Sequence, residues 1–235
     1  MFVSGKLATT TRRLSALLAA SFLFSLLLPS ALAQVDELHW KLKPVDESDR
    51  DPGFAAFLKG FRKFVELRDR EALLAVISPD IKNGFGGEDG YDQFVEIWNF
   101  ETEDSAQTSA VWDVLANLLK LGGKWGGPPG NDSQYCIPYL YSAFPVELDP
   151  FTYSVVTGDS VRMRRNPSRG SATKGSLSWD IVTVMAVNGD WTQVRTHNGK
   201  IGFVSSEYVH GPVDYRACFT HSANGWKMSM LLSGD

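Results

Sequence analysis

Cysteine is scarce in this 235-residue chain, with only Cys136 and Cys218. The four histidines, His39, His197, His210 and His221, stand apart, with no His-x-x-x-His or Cys-x-x-Cys spacing. That excludes the closed thiolate and imidazole sets that hold structural zinc. Missing too are the P-loop, the dinucleotide-binding Gly-x-Gly-x-x-Gly pattern and the Gly-x-Ser-x-Gly nucleophile elbow. No metal and no cofactor is expected. Long apolar runs are also lacking, except for one at the N-terminus, so no later segment is expected to span a membrane.

The exception reads as an export leader. Lys6, Arg12 and Arg13 precede an apolar stretch from Leu14 to Leu28, followed by Pro29 and the small-residue site Ala31-Leu32-Ala33. The apolar run is short for a spanning helix, so cleavage after Ala33 is expected rather than an uncleaved anchor. No cysteine follows the site to carry a lipid. Thr11-Arg12-Arg13 matches a twin-arginine leader only in part, because Ser15 stands where that signal takes a bulky apolar residue. The product is expected to be periplasmic or secreted, with no transmembrane anchor after cleavage. There Cys136 and Cys218 meet an oxidising compartment, and a disulfide is favoured over two buried thiols.

What is present falls into two textures. Residues 34–50 are polar and charged, a lead-in tail in which Leu38, Trp40 and Leu42 alternate. Phe54, Phe57, Leu58, Phe61, Phe64 and Val65 then follow helical spacing, with Asp51 as N-cap and Pro52 in the first turn. Further helices are expected over Glu71–Ile77, over Tyr91–Phe100, and from a cap near Ser109 through Leu119, ended by Gly122-Gly123. Between them, DIKNGFGGEDG suits a strand end or loop, and GGPPGND at 126–132 is a loop. From Tyr135 onward the periodicity changes to short β-branched and aromatic runs between turn signals, the pattern of a small barrel or sandwich. The final segment reads as a hairpin: Tyr215, Ala217 and Phe219 alternate on one strand, Trp226, Met228 and Met230 on the other, and Asn224-Gly225 lies at the turn.

Residues 153–210 resemble a bacterial SH3 (SH3b) domain. The matching features are TGDSVRMRRNPS, GSLSWDIVTV, NGDWTQV and GKIGFVSSEYV. The alternation places Val161 and Met163 inward and Arg162 and Arg164 outward, with Gly202 allowing a close backbone approach. The flanking regions resemble exported SH3b proteins of uncharacterised function. The resemblance implies an α+β fold in which a helix-rich module, residues 51–150, is completed by the hairpin 213–235. Its sheet would be curved and cone-like, and the small barrel, 151–212, would be inserted into it. Cys136 and Cys218 flank that insertion, and a bond between them would tie its ends.

The chemistry expected from these residues is binding rather than catalysis. Cell-wall hydrolases join SH3b domains to Cys-His catalytic domains, yet Tyr135 and Ile137 flank Cys136 where that family carries Asp-Cys-Ser-Gly, and no histidine is well placed as base. Asp80, Glu88, Asp89 and Asp92 form a loose acidic group of solvated character. The chain has a formal charge of −4, three leader cations included, so the mature chain is close to −7. Residues 151–210 run the other way, at about +3. Export makes nucleic acid an unsuitable partner and favours a peptidoglycan peptide or an envelope protein. The expected binding surface is Arg164, Trp179, Trp191, Arg195 and Tyr208. The alternative is an enzyme with a pocket in the outer module, between the Phe-rich helix and the terminal hairpin.

Overall fold

In a computed structural model, the structure describes residues 1–2, 40–87, 89–127 and 133–234. The expected leader beyond Phe2, the tail through His39, Glu88 and positions 128–132 of the Gly-Pro loop lie outside the described residues. The described residues from Trp40 onward form one compact unit.

Asp51 starts α1 (Pro52–Leu67) by accepting the Phe54 N–H at 2.8 Å, with Pro52 in the first turn. Phe54, Leu58, Phe61 and Val65 face the core, and Arg68 ends the helix in the left-handed region (φ 52°). Asp69 caps α2 (Arg70–Ala75), which stops two residues earlier than its apolar pattern suggests. Ile77 instead opens β1 (Ile77–Lys82), paired in parallel with the C-terminal strand. Pro79 is tolerated there because β1 is a sheet edge. Next come α3 (Tyr91–Ile97), α4 (Glu103–Gln107) and α5 (Val111–Lys120). The short α4 was not anticipated. Its signal is the reciprocal cap between Thr102 and Ser105.

The first sheet joins distant parts of the chain. After β2 (Lys124–Trp125), β3 (Gln134–Ile137) and α6 (Tyr139–Ala143), the chain departs and returns as β11 (Arg216–Ser222) and β12 (Gly225–Leu232). The order is β1-β12-β11-β3-β2, antiparallel except for β1 with β12. A helix within residues expected to be wholly β, α6, is a departure from the sequence reading. The hairpin closes with Ser222 opposite Gly225, so Ala223 and Asn224 form the turn. Cys136 and Cys218 face each other across β3 and β11, fully buried and disulfide-bonded. Phe54 anchors the core above this sheet, its ring 4.5 Å from Tyr135, 4.8 Å from Trp226 and 5.2 Å from Trp125.

Between β3 and β11 the chain builds a second sheet: β4 (Tyr153–Val156), β5 (Val161–Arg164), β6 (Thr173–Leu177), β7 (Ile181–Asn188), β8 (Trp191–Thr196), β9 (Ile201–Ser205) and β10 (Val209–His210). Its order is β10-β4-β7-β8-β9-β5-β6. Three strands separate β4 from β5, yet Val156 and Val161 share one core with Met163, Leu177, Val182, Val194 and Val204. The sheet therefore curls over its own apolar face. It does not close as the barrel expected from sequence. The two-residue β10 pairs only with β4, and β6 pairs only with β5, leaving both as edges. The molecule is thus α+β, with a core for each sheet.

The lead-in is more than a tail from Trp40 onward. Its backbone exchanges hydrogen bonds with the second sheet, from the Ile181 N–H to the Trp40 carbonyl (3.0 Å) and from the Leu42 N–H to the Trp179 carbonyl (2.8 Å). Tyr139 Oη then donates to the Leu42 carbonyl at 2.7 Å. Asp46 accepts from Tyr135 Oη at 2.6 Å and lies 3.6 Å from Arg62. Burial opposes the Asp46 charge, but the hydrogen bonds from Tyr135 and Ser48 and the Arg62 guanidinium outweigh it and hold the carboxyl below its ordinary value. Glu47 behaves alike, its burial outweighed by Arg50, the Trp125 N–H and Lys124. Burial, and then the Asp46 charge, push the Tyr135 phenol up.

Candidate functional site: an arginine and aromatic groove on the second sheet

Alternation along β5 buries Val161 and Met163, exposes Arg162 and leaves Arg164 half-buried. Arg164 is fixed, since its Nη1 donates to the Ser171 carbonyl at 2.8 Å. Trp191 opens β8 directly after the turn at Gly189 (φ 57°), opposite Ser205. Tyr208 ends the short 3-10 turn Ser206–Tyr208, and its carbonyl accepts the Thr157 N–H at 2.7 Å. A side chain at Gly158 would lie 2.6 Å from Val161 Cγ2 and 3.2 Å from Tyr208 Cδ1. Glycine at that position lets the Tyr208 ring settle beside β5.

These placements bring Arg164, Trp191 and Tyr208 into one open groove of about 470 Å³, with Arg162, Arg169 and Glu207 also in its wall. A smaller hollow of about 280 Å³ shares Arg169, Trp191 and Glu207. Three guanidinium groups face two carboxylates, Asp159 and Glu207, so the lining is net positive. Glu207 accepts from Ser205 Oγ at 3.0 Å, and Asp159 from Ser178 Oγ at 2.7 Å. Planar fork donors beside aromatic faces suit a carboxylate carried on a peptide or glycopeptide.

Two of the anticipated residues lie elsewhere. Trp179 occupies the turn before β7 with φ 61°, where its main chain receives the lead-in. Arg195 sits near the far end of β8, exposed, outside the groove wall. Conversely, Arg162 and Arg169 join the site although neither was among the residues expected to bind. Their signal was the density of arginine around the Asn166-Pro167 turn.

No protein-family model and no curated protein matches the chain.

Elsewhere several chemistry-bearing side chains are occupied structurally. Cys136 is bonded to Cys218 and carries no thiol. Among the described residues no cluster of His, Cys, Asp and Glu is arranged to hold a metal. Lys82 takes Asp89, and Ser78 donates to Asp80; Glu88 lies outside the described residues. The space between α1 and the terminal hairpin is filled by rings, with Phe61 only 5.0 Å from Phe219. A cavity of about 540 Å³ lies instead between α5, Pro138 and the return segment, against His210, Asp214 and Tyr215. There His210 Nε2 meets the Glu207 carbonyl at 3.0 Å and Asp214 accepts the Gly211 N–H at 2.7 Å.

Proposed function

We propose that the protein is an exported, non-catalytic binding protein whose second sheet is an SH3b-type module that holds carboxylate-bearing peptide stems of the cell wall. The observation that carries this reading is the convergence of Arg164, Trp191 and Tyr208, drawn from well-separated parts of the chain, beside Arg162 and Arg169 in one groove. Arginines anchor a carboxylate and the aromatic faces take the apolar parts of the peptide. A buried disulfide fits passage through an oxidising compartment, consistent with the export leader read in the sequence.

Sedimentation with purified sacculi tests the proposal. Retention is expected at low salt and should weaken as ionic strength rises, because the anchoring groups are charged. Trp191→Ala combined with Arg164→Ala should reduce retention by about tenfold or more. Arg195→Ala, outside the groove, should leave it unchanged. Absence of retention at low salt, or retention indifferent to the double substitution, would falsify the reading. Capture of a protein contaminant rather than the glycopeptide itself would transfer the groove to an envelope protein partner.

A further inference from the structure

The arginine-rich groove and the smaller hollow beside it are opposite in sign. In the groove, Arg162, Arg164 and Arg169 outnumber the carboxylates of Asp159 and Glu207. In the hollow, Asp190 and Glu207 outnumber Arg169. Arg169, Trp191, Ser205 and Glu207 belong to both walls, so the two are halves of one trough with a basic and an acidic end.

The acidic end is held in place by hydrogen bonds around Ser206. Gly189 and Asp190 make the turn between β7 and β8, and the Ser206 N–H donates to the Asp190 carbonyl at 2.8 Å. Ser206 Oγ donates to the Gly189 carbonyl at 3.0 Å and lies 3.0 Å from Thr192 Oγ1. These bonds fasten the β7–β8 turn to the 3-10 turn Ser206–Tyr208, which brings Asp190 and Glu207 to one hollow. At the basic end Arg164 is engaged by the Ser171 carbonyl. Arg162 and Arg169 are exposed and, like the Asp190 carboxylate, have no hydrogen-bond or ion-pair partner among the described residues. Arg169 therefore shares a hollow of about 280 Å³ with two carboxylates without closing on either, and these charges remain open to a ligand.

From this arrangement we infer that the trough takes a dipolar peptide, one that carries an ammonium group as well as a carboxylate. Its carboxylate meets Arg162 and Arg169, and its ammonium meets Asp190 and Glu207 beside the Trp191 ring. A ligand with negative charge alone is attracted by the arginines and repelled by the two carboxylates of the hollow; an ammonium turns that repulsion into attraction. The indole face adds to the attraction for a cation. The inference rests on the wall-binding reading and defines its ligand more closely. Two parts of a peptide can supply the ammonium, the N-terminus or an amine-bearing side chain, and the recognition chemistry is the same for both.

Calorimetric titration of the full mature chain at low ionic strength tests it, with the tripeptide alanyl-glutamyl-lysine in three forms. One is acetylated on both amines, one on the N-terminal amine alone and one on the lysine amine alone; all keep both carboxylates. At least one singly acetylated form should bind about fivefold more tightly than the doubly acetylated one, the effect expected of an exposed ion pair beside an aromatic ring. The form that does so identifies the source of the ammonium. Asp190→Asn with Glu207→Gln, both at exposed positions, should remove the preference and tighten binding of the doubly acetylated form, because the repelling charges are gone. Equal affinity for all three forms, or a preference that survives the double substitution, overturns the dipolar site. Retention on sacculi in the same preparation would then leave the wall-binding reading standing. No binding of any form at about millimolar concentration also overturns the inference, and loss of sacculus retention alongside it overturns both.

Discussion

Phe54 shows how much one side chain can carry. It is fully buried and meets rings from β2, β3, β11 and β12. Phe54→Ala should cost about 3–5 kcal/mol, measured by urea denaturation, because lost burial is joined by a cavity between elements that cannot all move inward. Gly202 illustrates the opposite limit. A Cβ there would sit 2.5 Å from Met163 Cγ and 2.9 Å from the Arg164 carbonyl oxygen, and a main-chain atom cannot swing aside. Gly202→Ala should destabilise the second sheet by about 1–3 kcal/mol through overpacking, with earlier thermal melting as the readout. Both roles were visible in the sequence, one as a helical stripe and the other as a glycine between strand residues. The division between Trp179 and Trp191 was not. Both lie next to turns in similar β-rich sequence, and only the curl of the sheet decides which ring comes beside Arg164.

Among the elements, those with a strong local signal were legible and those decided by a distant partner were not. The apolar face and cap of α1 lie within sixteen residues and need no tertiary information. By contrast, β1 takes Ile77 from an apparent helix because β12 offers a parallel ladder from the other end of the chain. The docking of the lead-in was not legible locally because its anchors, Tyr135 and Tyr139, lie far along the sequence. Its electrostatic part makes a pH prediction. Asp46 and Glu47 are held below their ordinary values in the folded state. Their contribution is therefore present above the unfolded values, near pH 4, and is lost as pH falls through the depressed folded values. Melting temperature should drop on acidification below about pH 4. The drop should be shallower in Asp46→Asn with Glu47→Gln, a variant already less stable at pH 7. An equally steep drop in the variant would assign acid sensitivity to other carboxylates.

At the scale of the whole molecule, one chain builds a host sheet and, within the span between two of its strands, a guest sheet with its own core. The change in texture after Tyr135 marked the β-rich span, while the hairpin's return to the helix-rich module was expected only from the resemblance, because β11 and β3 lie 82 positions apart at their paired cysteines. Cys136 and Cys218 close this arrangement across 82 positions, a loop whose closure is worth about 4–5 kcal/mol in the chain-entropy account. Replacing both cysteines by alanine should lower the melting temperature clearly, and the host strands β3 and β11 should lose amide-exchange protection before β7 and β8. The same bond makes everything between the two cysteines a covalent ring. A protease that cuts the exposed stretch between Arg165 and Ala172 opens the ring without dividing the molecule. The two pieces should run as a single species on a denaturing gel until a reductant is added. A chain so built survives its first cleavage as one body, and wear at this exposed stretch need not release the second sheet from the first.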